Sequence, residues 1–353
     1  MYDYLIVGQG LAGSVLSLSL LKEGKKIFVI DSPALSSSSK IAAGLYNPIV
    51  FKRMVKSWKA DELIHFADDF YTYAEYILEN KFHYKKNIVK LFVNEQEKEL
   101  WLKKSGADEG AYLSKTIDEG LFHQYIRGED GYAEVLRSGY LDVKCFLEEV
   151  KKYLLKNNLL MEDVIDHSLI KHNANEVEYK NIKARKLIFC EGYRATENPY
   201  FNYLPFKLTK GELLTVRIKN LALDKVINKG VFIVPLGNDL FKVGATYEWN
   251  DINEMISEKG KKELTEKLQK VLDVPFEIIE HKAGIRPTVN DRRPLIGLHP
   301  QYNNLILFNG MGTKAVMLSP YFAWQLINCL EKNSPLDKEV DIKRFHSLIK
   351  TKN

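Results

Sequence analysis

The chain has 353 residues, of which 45% are hydrophobic and 27% are charged. This length allows one large domain or two interleaved domains with a substantial core, and the composition excludes a disordered or collagen-like chain. Lysine and arginine exceed aspartate and glutamate to give a net charge of +5, a mild excess that permits an anionic substrate but does not indicate nucleic acid.

The N-terminus and the cysteines favour a cytoplasmic protein without a metal site. The chain runs from Met1 directly into an apolar segment, with no basic leader or cleavage site of a signal peptide. No apolar run approaches the roughly 20 residues that a membrane-spanning helix needs. Cys145, Cys190 and Cys329 are far apart and lack CxxC spacing. We therefore expect three small buried side chains and neither disulfides nor zinc ligands.

The first thirty residues carry a dinucleotide-binding pattern. A strand is predicted for residues 4–7, followed by the glycine-rich run Gly8-Gln9-Gly10-Leu11-Ala12-Gly13. A helix over residues 14–22 and a strand over residues 26–30 come next, and that strand ends at Asp31. The order strand, GxGxxG, helix, strand and acid within about 30 residues is typical of a Rossmann unit.

The residues of this pattern have separate physical roles. Gly8 permits the tight turn out of the strand, Gly10 leaves room for a pyrophosphate, and Gly13 lets the helix pack close to the sheet. Free N–H groups and partial positive charge at the helix N-terminus attract phosphate. Asp31 can accept hydrogen bonds from a ribose diol and disfavours a 2′-phosphate. The pattern predicts a bound dinucleotide and does not distinguish NAD from FAD.

The next part of the chain is predicted to form a polar loop and then helices. The loop covers Ser36 to Ser39 and leads into Ala42-Ala43-Gly44, whose small side chains favour a close-packed loop. Helices are predicted for residues 60–80 and for residues 142–158, the latter with Asp142 as its N-cap.

The remainder is predicted to alternate between strands and helices, which indicates a second structural unit within the chain. A hairpin over residues 176–190 precedes a strand-rich stretch from Gly211 that is typical of an antiparallel sheet. The predicted elements are strands over 212–218, 231–235 and 241–246, a helix over 257–272, a strand over 305–308, and a closing helix over about 314–330.

Six motifs in collinear order resemble the D-amino-acid oxidase-like family of FAD-dependent amine oxidoreductases, especially its glycine oxidase-like branch. They are YLIVGQGLAG with IFVID, AAGLYNP, KGELLTVRI, VFIVPLGNDLFKVGATYE, GIRPTVNDRRPLIG and NLILFNGMGTKAVMLSP. The resemblance implies an α/β fold with a doubly wound, Rossmann-like FAD-binding domain and a mostly antiparallel β-sheet substrate domain. The implied FAD-binding domain is discontinuous, comprising residues 1–80, 140–205 and 281–353, and the implied substrate domain comprises residues 81–139 and 206–280.

The resemblance also implies non-covalent FAD, because no cysteine is placed beside the flavin-facing motifs. The glycine-rich loop would hold the pyrophosphate, Asp31 the ribose, residues 42–45 would pass beside the isoalloxazine, and the turn over residues 310–316 would face its pyrimidine end. The implied cofactor-binding residues are Gly8, Gly10, Leu11, Ala12, Gly13, Asp31, Ser39, Ala42, Ala43, Gly44, Leu45, Val164, Gly192, Gly310, Gly312, Thr313, Lys314, Ala315 and Val316.

Arg286, in the motif GIRP, is implied to bind the substrate carboxylate. A guanidinium pairs with a carboxylate through two parallel hydrogen bonds, which also fixes its orientation. The alternative is a structural arginine in a turn before Pro287. Phe232 and Tyr247 fall on implied pocket-lining positions, and Leu45 and Lys314 complete the substrate set. Lys314 stands in a turn where related oxidases often carry Arg and Asn-Gly, so the substrate identity stays open.

The predicted activity is FAD-dependent oxidation of a primary or secondary amine, in a small amino acid or glycine-like group, to an imine. Dioxygen, a quinone and a carrier protein all remain possible electron acceptors. The first alternative is an oxidoreductase that modifies the carboxymethylamino group of a tRNA wobble uridine, and the second is a non-catalytic flavin-binding protein. The basic segment Lys52 to Lys56 is either a contact for an anionic substrate or, as we favour, a solvated rim.

Overall fold

The computed structural model of the protein describes residues 1–120, 122–128 and 130–349. Within those residues the chain combines α-helices with β-strands that form two large sheets and two small ones. The helices are α1 (Leu11–Lys22), α2 (Ser38–Ile41), α3 (Ala60–Leu78), α4 (Glu95–Ser105), α5 (Val143–Lys156), α6 (Glu258–Gln269) and α7 (Ala315–Lys332).

The strands are short and are distributed along the whole chain. In the first half they are β1 (Tyr2–Val7), β2 (Ile27–Asp31), β3 (Leu45–Tyr46), β4 (Ile49–Val50), β5 (Val55–Lys56), β6 (His83–Lys85), β7 (Ile88–Leu91), β8 (Tyr132–Val135), β9 (Gly139–Leu141) and β10 (Leu160–Glu162). In the second half they are β11 (Ile170–His172), β12 (Val177–Tyr179), β13 (Ile182–Phe189), β14 (Thr209–Arg217), β15 (Val226–Asn228), β16 (Phe232–Gly237), β17 (Leu240–Gly244), β18 (Glu277–Arg286), β19 (Leu295–Leu298) and β20 (Leu305–Asn309).

The first large sheet is doubly wound and has a parallel centre. Its strands lie in the order β10-β2-β1-β13-β20, and all of these neighbours pair in parallel. Antiparallel strands β12 and β11 continue from the other half of β13, and β19 pairs antiparallel with β20. The carboxyl ends of β1, β2, β13 and β20 therefore meet at one edge, which is where ligands bind in sheets of this kind.

Side chains on alternate positions bury both faces of this sheet. On β1, Tyr4 and Ile6 pack into the core formed with helices α1, α3, α5 and α7, whereas Leu5 and Val7 pack into a second core on the opposite face. A strand that is covered on both faces has a continuous run of apolar residues in the sequence, whereas a strand with one exposed face alternates apolar and polar residues. This explains why the segment Leu5-Ile6-Val7 was recognisable as a buried strand.

The second large sheet is mostly antiparallel and has the order β18-β14-β17-β16-β15-β7-β8. Its one parallel pair is β15 with β7. Helix α6 packs against this sheet through Leu264 and Leu268, which belong to a third hydrophobic core. In the first sheet the strands come from residues 2–31, 160–189 and 295–309, and in the second from residues 88–91, 132–135 and 209–286.

The structure confirms most of the predicted elements and corrects three details. Asp142 caps α5, since its carboxylate accepts a hydrogen bond from the backbone N–H of Cys145. The loop predicted over Ser36 to Ser39 is wrong in part, because its second half begins helix α2. Strand β18 was not predicted, and the predicted domain boundary at residue 281 falls inside it. The expectation of three buried cysteines is also wrong in part, because Cys190 is buried but Cys145 and Cys329 are partly exposed.

Across the described ranges, no helix has both the length and the apolarity to cross a membrane, and no cluster of His, Cys, Asp or Glu is arranged to hold a metal ion. Cys145, Cys190 and Cys329 are all free thiols. On α3, Nε2 of His65 lies 3.5 Å from a carboxylate oxygen of Asp69, and both side chains are exposed.

Candidate cofactor and substrate site

Two adjoining cavities lie where the carboxyl ends of the central strands meet. The first follows β1, β2 and β13, and the second lies between the first sheet and the β14–β18 edge of the second sheet. The two cavities have five lining residues in common, so they form one continuous groove. The shared residues are Leu11, Ser38, Ser39, Gly312 and Ala315.

The glycine-rich loop forms the floor of the first cavity and packs tightly beneath it. Gly8 has φ +99°, and a Cβ on it would lie 2.6 Å from the carbonyl oxygen of Cys190. A Cβ on Gly13 would lie 1.8 Å from the carbonyl oxygen of Gly8, so only glycine permits this approach of helix to strand. At Gly10 a Cβ would meet only the Ser39 hydroxyl, at 3.4 Å. Gly10 therefore faces the cavity itself and leaves it open.

Two side chains complete the polar lining next to this loop. The Asp31 carboxylate accepts a hydrogen bond from the backbone N–H of Gln9 through Oδ1, at 2.9 Å, whereas its Oδ2 has no donor among the described residues. Burial raises the pKa of the Asp31 carboxyl above its ordinary value. The Ser39 hydroxyl accepts a hydrogen bond from the N–H of Leu11 at the start of α1, one of the N–H groups that lack a partner within the helix.

The small-residue loop after Ser39 forms one wall of the second cavity. Ala42, Ala43, Gly44 and Leu45 all line it. Gly44 has φ +71°, and a Cβ there would lie 1.8 Å from the carbonyl oxygen of Leu141, so this loop is held against β9. The Lys242 ammonium donates to the carbonyl oxygen of Ala42 at 3.1 Å, and burial lowers the pKa of that ammonium. A strand of the second sheet thus fixes the loop that forms this wall of the second cavity.

The second cavity has a volume of about 410 Å³, and Arg286 lies in its wall. Arg286 is the last residue of β18, opposite Thr209 on β14. Its Nη1 donates to the carbonyl oxygens of Lys210 and Thr246, each at 3.4 Å. Its guanidinium forms no salt bridge with any described carboxylate, and burial lowers its pKa. One edge of the guanidinium is therefore positioned by backbone and the other is available to an anion.

Gly211 provides the space that this guanidinium occupies. A Cβ on Gly211 would lie 1.9 Å from Nη2 of Arg286. The Tyr247 ring covers the guanidinium from the other side, with its centroid 4.7 Å from Cζ, a distance typical of a cation–π contact. Tyr247 is 53% exposed and stacks on Trp249. Phe232 lines the same cavity from the start of β16.

The N-terminal end of α7 forms the opposite wall. Gly312, Thr313, Lys314, Ala315 and Val316 line the second cavity there. The Lys314 ammonium donates to the Ser57 hydroxyl. Burial, together with the nearby Arg292 guanidinium, lowers the pKa of Lys314 to about 8. A helix N-terminus and an ammonium together make this wall electropositive.

Almost all of the predicted site residues line the groove. In the first cavity these are Gly8, Gly10, Leu11, Ala12, Asp31, Ser39 and Gly192, and in the second they are Ala42, Ala43, Gly44, Leu45, Phe232, Tyr247, Arg286, Thr313, Lys314 and Val316. Gly13 and Gly310 lie beneath the lining, where a Cβ on Gly310 would come within 2.8 Å of the Leu295 nitrogen. Val164 is 52% exposed, and its neighbours Asp163 and Ile165 line the first cavity in its place.

Several lining residues were not predicted from the sequence. In the first cavity the main ones are Cys190, Glu191, Tyr193 and Arg194, and in the second they are Asn47, Asn228 and Arg292. Cys190 lines the first cavity but not the second, so it lies apart from the flavin-facing motifs, beside which no cysteine was expected. It packs against Gly8 and Gly13 at the pyrophosphate end of the groove, and burial raises the pKa of its thiol. The available signal was its position as the last residue of the predicted hairpin over 176–190.

The groove fits FAD. Gly10 leaves space where a side chain would block a pyrophosphate, α1 points its N-terminus at the first cavity, and Asp31 offers an oxygen to a ribose. The second cavity, next to it, has apolar walls for a flat ring and an electropositive end at α7. Glycine-rich turn residues, Asp31 and Ser39 would hold the dinucleotide, and the residues of the small-residue loop and α7 would hold the ring.

Comparisons with known proteins agree with this geometry. The family model "DAO: FAD dependent oxidoreductase" matches residues 3–328. Glycine oxidase of Bacillus subtilis (strain 168) is 20% identical over 350 residues, 90% of each chain. Glycine oxidase from Bacillus licheniformis is 30% identical over a shorter alignment of 118 residues, which covers 33% of this chain and 32% of that protein.

Solved structures share the fold over nearly the full length. Glycine oxidase from Geobacillus kaustophilus superimposes with a TM-score of 0.79 and 20% identity, covering 100% of this chain and 99% of that one. Iminodiacetate oxidase from Chelativorans sp. BNC1 superimposes with a TM-score of 0.81 and 16% identity, covering 96% of this chain and 98% of that one. With a family model matched over most of its length, the chain belongs to the DAO family of FAD-dependent oxidoreductases.

Proposed function

We propose that this protein oxidises the primary or secondary amine of a small amino acid, or of a glycine-like group, to an imine. The observation that carries the proposal is Arg286, whose guanidinium lies in the wall of the second cavity and pairs with none of the described carboxylates. Glycine oxidases and iminodiacetate oxidase are among the proteins that this chain is similar to, and their names are consistent with an amine that carries a carboxylate.

Arg286 would bind the substrate carboxylate with its free edge. Because Nη1 is already held by the carbonyl oxygens of Lys210 and Thr246, little side-chain freedom is lost when the carboxylate binds. A carboxylate held by two parallel hydrogen bonds fixes the direction of the Cα–H bond. Bound FAD supplies the two-electron oxidation of the amine.

The rest of the cavity would position the amine and exclude water. Leu45, Phe232 and Val316 give it apolar walls, and reactions of this type obtain much of their rate from orientation in such a space. Within the part of the chain that the structure describes, no Asp, Glu or His lines this cavity. The protein therefore offers no carboxylate or imidazole base there, and we expect the reactive form of the substrate to be the free amine.

The proposal is tested by anaerobic bleaching of the flavin. Purified holoenzyme is mixed with glycine, sarcosine, proline and the D-amino acids, and flavin absorbance is followed without an electron acceptor. We expect at least one α-carboxylate amine to bleach the flavin. Bleaching by tRNA carrying the carboxymethylamino group, with none by any free amino acid, would overturn the proposal in favour of the RNA-modifying alternative.

A further inference from the structure

Among the described residues, the lining of the second cavity carries only positive formal charge. Its ionisable residues there are Arg286, Arg292 and Lys314 apart from Tyr247, with no Asp or Glu. A cavity with several like charges and no counter-charge concentrates anions. A substrate with one carboxylate would compensate one of the three cations.

Arg292 is the cation that the proposed function leaves unexplained. It lies in the turn after β18, exposed at the edge of the cavity, with its N–H bonded to the carbonyl oxygen of Val289. Its neighbours have partners: Asp291 accepts from Arg344, and Arg293 pairs with Glu339. The Arg292 guanidinium itself makes no salt bridge within the described ranges.

Arg292 and Lys314 act on each other as like charges. The Arg292 guanidinium contributes to the lowered pKa of Lys314, whose described side-chain hydrogen bond is to the neutral Ser57 hydroxyl. The N-terminus of α7 adds partial positive charge at the same place. Keeping such groups together is unfavourable until an anion binds between them. The pair is therefore built to receive a negative group distinct from the carboxylate at Arg286.

We propose that the substrate is a dicarboxylic amine whose second carboxylate binds Arg292, with Lys314 contributing positive charge to the same end of the cavity. This inference rests on the proposed function, because Arg286 must hold the first carboxylate. If Lys314 serves the bound cofactor, Arg292 still lacks a counter-charge among the described residues. Two carriers of the second carboxylate are compatible with this geometry, a branch on Cα as in aspartate and a branch on nitrogen as in iminodiacetate.

The test compares substrates that differ in one charge. Anaerobic flavin reduction in the holoenzyme is measured with aspartate against asparagine, in each enantiomer, and with iminodiacetate against its monoamide. We expect one diacid to exceed its matched amide by about 10- to 100-fold in reduction efficiency, the range of one charge-assisted interaction. Equal efficiency of diacid and amide in every pair overturns the dicarboxylate inference, while bleaching by the amides still supports the proposed function.

Variants assign the effect to Arg292. Arg292→Gln should remove most of the preference for the diacid and leave the amide within about twofold, and Arg292→Lys should retain part of it. Lys52→Gln is the matched control, since Lys52 is exposed and adjoins Phe51 of the lining without lining the cavity itself. Loss of efficiency for diacid and amide alike in Arg292→Gln would assign Arg292 a structural role and contradict the inference.

Ligands that cannot be oxidised test the second anion site without requiring turnover. Succinate and succinamate, which differ by one charge and lack an amine, are titrated into the holoenzyme while flavin absorbance is recorded. Tighter binding of succinate, lost in Arg292→Gln, supports the second anion site even if no amine bleaches the flavin. Equal affinities for the two ligands contradict it.

Discussion

At the scale of single residues, the guanidinium of Arg286 depends on a neighbour that has no side chain. Gly211 lies opposite Gly284 on the adjoining strand, and any Cβ at position 211 would overlap the arginine. Pro287 limits Arg286 to an extended backbone, which agrees with its place at the end of β18. The direction of the side chain is thus set by backbone on two strands.

Arg286→Ala should keep FAD and the fold but slow flavin reduction by a carboxylate-bearing amine at least 100-fold, because both affinity and orientation are lost. Arg286→Lys should recover only part of the rate, since an ammonium cannot form the planar two-bond pair. Stopped-flow reduction under anaerobic conditions measures both. An amine without a carboxylate serves as control and should react equally with wild type and variant; equal rates on the best carboxylate substrate would exclude Arg286 from the site.

Gly10→Val should fold and lose FAD. A Cβ at Gly10 meets only the Ser39 hydroxyl, at an ordinary contact distance, so the apoprotein can accept the side chain while the pyrophosphate cannot. Flavin content after purification, with circular dichroism for the fold, measures the outcome. Gly106→Val is the matched control, because a Cβ there meets nothing closer than 3.8 Å. Stoichiometric FAD in Gly10→Val would refute the assignment of this loop.

Lys314→Met should stabilise the apoprotein at neutral pH. The folded pKa of Lys314 is about 8, below that of an ordinary lysine, so the charged form is penalised in the folded state. Below pH 8 the penalty is complete, and it disappears as pH rises towards the ordinary lysine value of about 10.4. We expect a higher Tm for the variant at pH 7, roughly 1–2 °C for each kcal/mol relieved, and a difference that shrinks by pH 10. A difference that is constant with pH would contradict this explanation.

At the scale of elements, the segment from β17 to α6 connects the second sheet to the first cavity. The buried ammonium of Lys210 donates to Asn253 at 2.8 Å, within this segment. One residue further on, the Glu254 carboxylate accepts hydrogen bonds from the Ser36 hydroxyl at 2.6 Å and the Tyr193 hydroxyl at 2.8 Å. Ser36 and Tyr193 line the first cavity. The segment therefore closes one side of the cofactor groove.

Glu254→Ala should weaken FAD binding about tenfold, which corresponds to about 1.4 kcal/mol, because two hydrogen bonds to a charged acceptor are lost beside the groove. Equilibrium dialysis or fluorescence titration of FAD into apoprotein measures the change. Glu258→Ala provides the comparison, since Glu258 is exposed in the first turn of α6. An unchanged dissociation constant in Glu254→Ala would show that this segment does not contribute to holding the cofactor.

The sequence predicts those elements whose pattern is local. The strand, glycine turn, helix and acid of the first thirty residues appear as expected because apolar periodicity and glycine geometry act within neighbouring residues. Strand β18 escaped prediction because its first half, around Glu277 to Glu280, is largely exposed and lacks alternation. Its identity as a strand comes from pairing with β14.

The same reasoning separates the predictable part of the site from the rest. The sequence predicted that Gly8, Asp31 and Arg286 belong to the site, because each of them lies in a motif formed by one continuous stretch of the chain. The contacts of Glu254 with Ser36 and Tyr193 join residues far apart in the chain, and no local pattern marks such contacts. Arg292 was visible in the motif GIRPTVNDRRPLIG, but its lack of a partner becomes apparent only when the partners of Asp291 and Arg293 are known.

At the scale of the whole molecule, the purified protein should be yellow and release its FAD on acid precipitation. Cys190 is the thiol that lines the first cavity, and it lies beneath the glycine-rich loop, away from the small-residue loop and α7 that line the second. Burial also raises the pKa of this thiol, which disfavours the reactive thiolate. Absorbance of the supernatant after precipitation measures the free flavin. Colour retained in the pellet would indicate a covalent bond and contradict the prediction.

The residues shared by the two cavities make cofactor and substrate thermodynamically dependent on each other. Leu11, Ser39 and Gly312 each face both compartments, so a dinucleotide in one forms part of the wall of the other. Linkage requires the dependence to be reciprocal: a carboxylate that binds more tightly when FAD is present must raise the affinity for FAD by the same factor. A carboxylate substrate coupled in this way would also slow the loss of flavin from the holoenzyme in the cell.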